Sequence, residues 1–172
     1  MNKFLSSILA LIISCMFFTA CKKQAPQLPS NKGVEIDNVN ASLIKINQRL
    51  ATKEDLKLVQ FTKNKGSFKK NEIGFWYEIY NSGNGPLLRD SSSCKLFGKL
   101  MLLNGKTVEE DTKQLVIGKK EVIAGLEEGL KLMRKGDSAT FIIPWYLGYG
   151  MIGRKPQVPP YTSIIYKIKI LD

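Results

Sequence analysis

The chain has 172 residues, with 26 lysines and arginines against 15 aspartates and glutamates, three cysteines, no histidine and a net charge of +11. Without histidine there is no Ser-His or Cys-His nucleophile pair and no histidine metal centre, and Cys94 alone cannot build a zinc site. The basic residues are scattered in short pairs such as Lys22-Lys23, Lys69-Lys70 and Lys119-Lys120, a distribution that suits solubility and weak attraction to a membrane surface rather than nucleic-acid binding.

Residues 1–20 combine Lys3, an apolar run and a small residue before Cys21, which predicts a secretory signal. A transmembrane anchor is the alternative, for which the run is short. The tail Phe18-Thr19-Ala20-Cys21 resembles a bacterial lipobox, so Cys21 is expected to become the acylated N-terminus that ties the protein to a membrane. Loss of Cys15 with the signal and use of Cys21 for lipid leave Cys94 with no disulfide partner, and burial in a strand is its simplest fate. Residues 21–40, polar with two prolines, predict a flexible tether.

Residues 41–71 predict a helical extension. Thr52 and Asp55 resemble a capping box, followed by Leu56, Val59 and Phe61 on a short helix that ends near Asn64-Lys65-Gly66. The preceding SLIKINQRL reads as a further helix. From residue 72 the character changes. FWYEIY, over 75–80, is β-prone and closed by turn formers; a strand follows from about Cys94 to Leu103, then the hairpin signal Asn104-Gly105. Lys106-Thr107-Val108 and Leu115-Val116-Ile117 predict two brief strands, with Glu109, Glu110 and Asp111 in a solvated turn just past the hairpin.

Leu126, Leu130 and Met133 fall on one face of a predicted helix over Ala124–Arg134, stopped by Gly136. Ser138 to Ile143 and Ser163 to Leu171 alternate as strands, the second with Ile164, Tyr166, Ile168 and Ile170 on one side. The pattern predicts an α+β fold, an antiparallel sheet with one face in water and the other covered by one short helix. Between the last two strands lies YLGYGMIGRKPQVPP, whose Tyr146, Tyr149, Met151, Ile152 and Val158 are too apolar for an ordinary solvent crossing and predict a docking site for something apolar. Gly148, Gly150 and Gly153 precede a strand, not a helix, which argues against a dinucleotide loop.

The run VIAGLEEGLKLMRKGDSATFIIP followed by WYLGYGMIGRKPQVPPYTSIIYKIKIL closely resembles the C-terminal half of FKBP-type peptidyl-prolyl cis-trans isomerases. The resemblance covers residues 72–172 and is most specific from Val122 onward. It implies an FKBP-like sheet wrapped on one short helix, isomerase activity on X-Pro bonds without cofactor or metal, proline-containing client proteins, and an apolar pocket open to macrolides. Tyr149 matches the family tyrosine whose hydroxyl meets a substrate carbonyl, and Glu109 stands where the family carries a catalytic-site aspartate. Val122 and Ile123 match the wall before the helix, with the Ile123 N–H toward a second ligand carbonyl. Leu126 takes the pocket floor, Val158 an apolar loop position, and Tyr166 a place usually held by phenylalanine.

Elsewhere the pocket departs from the pattern. Val108 replaces a phenylalanine, Gly98 falls on an aromatic position unless a slipped register lets Phe97 fill it, Lys113 stands near another lost aromatic, and Gln157 replaces an apolar residue. The lipobox and the GFWYEIYNSGNGP segment also resemble envelope lipoprotein isomerases of gliding bacteria. Together the resemblances imply a lipid-anchored isomerase acting on proteins that fold in the bacterial cell envelope. A non-catalytic FKBP-like binding module is the alternative, and a basic lipoprotein binding an anionic polymer is a third possibility carried by net charge alone.

Overall fold

The computed structural model describes residues 32–80 and 83–171. The signal segment, the lipobox with Cys21 and the first part of the tether lie outside the described residues. The chain divides into two compact units, Met1–Ile44 and Lys45–Asp172. In the first, residues 32–44 are helical. The helix α1, Lys32–Lys63, is continuous, so it includes residues 32–40 that the tether was expected to occupy, and it joins the two helices expected around Thr52 into one. No proline follows Pro29 in this stretch to break it. Thr52 is not a cap: its hydroxyl donates back to the Gln48 carbonyl at 2.9 Å, a bond that a mid-helix threonine makes.

The second unit is built on a six-stranded, wholly antiparallel sheet. Its strands are β1 (Lys69–Lys70), β2 (Trp76–Tyr80), β3 (Ser93–Leu102), β4 (Thr107–Val116), β5 (Ser138–Ile143) and β6 (Ile164–Leu171), in the order β1-β2-β5-β6-β3-β4. Helix α2, Ala124–Leu130, crosses one face. It is shorter than the expected 124–134 because the following turn closes around other partners. The Asp137 carboxylate accepts the Arg134 and Gly83 amides at 2.7 and 2.6 Å, and the Leu88 amide takes the Met133 carbonyl. Beneath α2, Leu126, Leu130 and Met133 meet Phe75, Phe141, Leu96, Leu100, Ile164 and Ile168 in the main core, with Phe75 and Phe141 edge to face at 5.9 Å. Cys94 is buried in β3 as a free thiol.

Two features correct the sequence reading. The other sheet face is not simply in water: Leu58 of α1, fully buried, packs with Trp76 and Ile142 in a second cluster flanked by Phe61, Phe68 and Ile165. Burial therefore runs along Glu54, Asp55, Leu58, Phe61 and Thr62, whereas Leu56 and Val59, whose spacing helped to predict the helix, are exposed. The two short strands expected around residues 106–117 are also one. In β4, Glu110, Thr112 and Gln114 point to solvent, Glu109, Asp111 and Lys113 are half-buried, and the backbone pairs with β3 on either side of one bulge, so the polar run is an edge strand rather than a turn. A bulge opposite Leu100 and Met101 leaves Val108 without a cross-strand partner and sets Val108 and Glu109 together at the inner side.

Candidate functional site

The two segments singled out by the sequence meet at one end of α2. Val122 and Ile123 form the entry to the helix, with Ile123 at the N-cap in extended conformation and its carbonyl accepting the Leu126 and Glu127 amides. Leu126 on the first turn and Val158 on the long loop are buried in the main core. Tyr149, Val108, Val122, Ile123 and Leu147 pack against it half-buried, and Tyr166 of β6 is buried beside them. The structure thus brings together Tyr149, Glu109, Val108, Val122, Ile123, Leu126, Val158 and Tyr166.

Phe97 does not join them. The pairing of β3 with β4 and β6 is regular through Phe97, which lies opposite Thr112 and Lys169, and strand alternation turns its ring to the outer face at 37 % exposure. Gly98 instead faces inward, and Tyr166 covers it so closely that a Cβ there would lie 2.7 Å from the ring. The missing aromatic of β3 is replaced by the ring from β6, and no register slip occurs.

The loop sorts its apolar residues in three directions. Tyr149 and Val158 face the core; Met151 and Ile152 are exposed, the latter at 78 %. Tyr146 turns to α1, its hydroxyl donating to Asp55 at 2.7 Å. Internal bonds hold the loop together: the Gly150 amide donates to the Trp145 carbonyl at 2.8 Å, the Gly153 amide to the Tyr149 carbonyl at 3.1 Å, and Arg154 and Val158 exchange both backbone bonds.

Sequence reasoning assigned no role to Arg154, and Lys113 it placed only as the site of a lost aromatic. The Arg154 guanidinium lies over the Tyr149 ring, 5.1 Å from its centroid, and pairs with Glu109 Oε2 at 2.5 Å. Lys113 takes the other carboxylate oxygen, also at 2.5 Å, and reaches Asp111 at 3.5 Å. Both oxygens of Glu109 are therefore occupied, so it anchors an ionic strap that ties β4 to the long loop. Asp111 Oδ1 and Arg154 Nε are buried without a hydrogen-bond partner. A signal did exist, in an arginine directly after the YGxxG phrase, but its carboxylate partner sits 45 positions earlier on an edge strand whose existence the sequence obscured.

Electrostatics follow the geometry. Burial, above all, raises Tyr149 and Tyr166 above the ordinary phenol value, so both keep their hydroxyl protons through the physiological range. Hydrogen bonds from Lys113 and then Arg154 hold Glu109 below the usual carboxylate value. A carboxyl depressed in the folded state contributes stability that is complete above its unfolded value and is lost as pH falls through its folded value. Acidification through and below the carboxylate range is expected to release the strap. An NMR titration should show the Arg154 side-chain N–H signals shifting with the Glu109 carboxyl, a step that Glu109→Gln removes.

No group of histidine, cysteine and acidic residues suited to a metal occurs among the described residues, and none of their helices is long and apolar enough to cross a membrane. Residues 88–171 match the family model of the FKBP-type peptidyl-prolyl cis-trans isomerases. A Haemophilus influenzae protein named "Probable FKBP-type peptidyl-prolyl cis-trans isomerase" is 30% identical over 116 residues, which are 66% of this chain and 48% of that protein. The FKBP-type isomerase FkpA of Escherichia coli K12 is 31% identical over 116 residues, 66% of this chain and 42% of its own length. The chain thus spans about half the length of the curated relatives it matches. A solved peptidyl-prolyl cis-trans isomerase from Pseudomonas syringae has the same fold, with a TM-score of 0.63 at 21% identity over 71% of this chain and 92% of that one.

Proposed function

From the membership of residues 88–171 in the FKBP-type peptidyl-prolyl cis-trans isomerase family, we propose that the chain catalyses rotation about X-Pro bonds of proteins folding in the bacterial cell envelope, held to a membrane by lipid on Cys21. The observation that carries the reading is the convergence of Tyr149, Val122, Ile123, Leu126, Val158 and Tyr166 at the N-terminal end of α2. Clients are proline-containing chains, and macrolides are candidate competitors for the same surface. The lipobox and the GFWYEIYNSGNGP segment support an envelope address of the kind found in gliding bacteria.

The chemistry needs little from the protein. The barrier of roughly 18–20 kcal/mol arises from amide resonance, which the twisted transition state has lost in part together with its charge separation. A surface of apolar side chains favours that less polar state over the planar amide, provided the flanking carbonyls stay hydrogen-bonded. Tyr149, kept protonated by burial, is the donor to one carbonyl; the Ile123 amide is the donor to the other. No proton changes hands, which suits a chain without histidine.

The strap of Arg154 and Lys113 on Glu109 lies against the Tyr149 ring. That strap, with Gly98 and Lys113 where aromatics are usual, favours a second reading in which the module grips proline-containing partners without turning them over. Isomerisation of short X-Pro peptides by the full-length protein in mild detergent, beside Tyr149→Ala, separates the two. The isomerase reading expects acceleration that falls on the order of tenfold or more in the variant, as removal of a transition-state donor does. Folded wild-type protein that accelerates no peptide at any X residue would leave the binding module in its place.

A further inference from the structure

The inward stripe of α1 contains two carboxylates, and both are spent on the loop that carries Tyr149. Glu54 Oε1 accepts the Ser163 hydroxyl at 2.6 Å, with the Glu54 side chain 12% exposed and Ser163 fully buried. Because a carboxylate can only accept, the Ser163 hydrogen is committed to it, and the Ser163 oxygen is left to accept the Trp145 amide at 3.2 Å. The Trp145 carbonyl in turn receives the Gly150 amide at 2.8 Å. Gly150 is the residue next to Tyr149. An unbroken hydrogen-bonded line therefore runs from a helix outside the matched family segment, through both ends of the long loop, to the backbone beside the proposed substrate donor.

Asp55 supplies a second line. Its Oδ1 accepts the Tyr146 hydroxyl at 2.7 Å while Lys70 holds Oδ2 at 3.1 Å. Tyr146 lies in the 3-10 turn Trp145–Leu147 from which the loop departs. Burial and then the Asp55 bond raise the Tyr146 phenol well above its ordinary value, so the hydroxyl remains a donor. Trp145 is pinned between these bonds, edge to face with Tyr146 at 5.5 Å and with Tyr161 at 5.0 Å. Charge-assisted bonds at such donors are strong and directional, which is what the long loop from Trp145 to Ser163 needs to hold one side chain in place.

We propose that Glu54 and Asp55 are positioning residues for the isomerase site: α1 is a working part of the site, fixing the Trp145–Ser163 loop so that the Tyr149 hydroxyl meets the substrate carbonyl. The inference rests on the isomerase reading for its catalytic consequence, but not for its structural one. A helix that only covers the sheet would stabilise the fold through Leu58 and leave the loop indifferent to the carboxylates.

The test uses the full-length protein in mild detergent with the variants Glu54→Ala, Glu54→Gln, Asp55→Ala and, as the cover-only control, Leu58→Ala. Amide hydrogen exchange at Trp145 and Gly150 is read alongside kcat and KM on a short X-Pro peptide. Glu54→Ala is expected to speed exchange at both amides and to lower kcat on the order of tenfold with KM little changed, since small misplacements of reacting groups are costly. Glu54→Gln, which keeps an acceptor, should restore both. Asp55→Ala should act in the same direction, and Leu58→Ala should lower the melting temperature while leaving exchange at Gly150 and kcat as in wild type below the transition. Wild-type exchange and kcat in Glu54→Ala, or an equal loss in Leu58→Ala, would overturn the proposal. Should the wild type prove inactive, the isomerase reading fails, and the exchange arm still decides whether the carboxylates hold the loop.

Discussion

Gly153→Ala is expected to cost on the order of 2–5 kcal/mol of stability and to remove activity even in the protein that stays folded. Gly153 has a φ of +73°, in the left-handed region where a Cβ is disfavoured by contact with the neighbouring carbonyl. The new methyl would also have no room. It would lie 2.3 Å from the Val158 carbonyl oxygen and 2.6 Å from the Pro159 carbonyl carbon, both backbone atoms that no rotamer change can move aside. Relief requires the Arg154–Val158 bridge to open, which releases Val158 from the core and Arg154 from Tyr149 and Glu109. Denaturant unfolding checks the first part. Peptide isomerisation at a temperature where the variant is folded checks the second, and a variant with wild-type kcat would show that the loop tolerates an open bridge.

The second large effect is an expected coupling between Gly98 and Tyr166. Gly98→Ala places a Cβ 2.7 Å from the Tyr166 ring and 3.3 Å from Leu96 Cδ1, and the ring, buried between β3 and β5, has little freedom to retreat. Overpacking of this kind costs about 1–3 kcal/mol. Tyr166→Leu alone opens a gap, but combined with Gly98→Ala the smaller side chain makes room for the methyl. The double variant should therefore be more stable than the sum of the single losses predicts, by an interaction of about 0.5–3 kcal/mol measured by a denaturant double-mutant cycle. Strict additivity would mean that Tyr166 does not lean on Gly98, and the account of how this site supplies its aromatic wall would need another source.

These variants also mark where the sequence was readable. The segment from Val122 to Tyr166 was legible because its helix periodicity, turn residues and strand alternation agree with one another, and because consecutive elements build that half of the site. Phe97 was misplaced for a local reason: a glycine at an aromatic position invites a shifted register, and only the pairing of β3 on both sides fixes that Gly98 faces inward. The strand β4 was hidden by its composition, since a run of charges reads as a turn until a partner strand explains which side is wet. Helix α1 was hidden by the opposite effect. Its inward stripe contains the half-buried Glu54 and Asp55 while Leu56 and Val59 are exposed, so hydrophobic spacing does not mark the face that packs on the sheet. Arg154 and Glu109 are far apart in the chain, and nothing local to either announces the other.

An open sheet edge is a template on which a strand of another chain can add. Here one end strand, β1, has only two residues, both lysine, and the other, β4, carries Glu109, Asp111 and Lys113 inward with Glu110 outward. A chain that tried to extend the sheet along β4 would bring its own side chains against those charges and meet a bulge that spoils the ladder near Val108. The residues that pair around Tyr149 thus also guard the edge of the fold against the addition of a further strand.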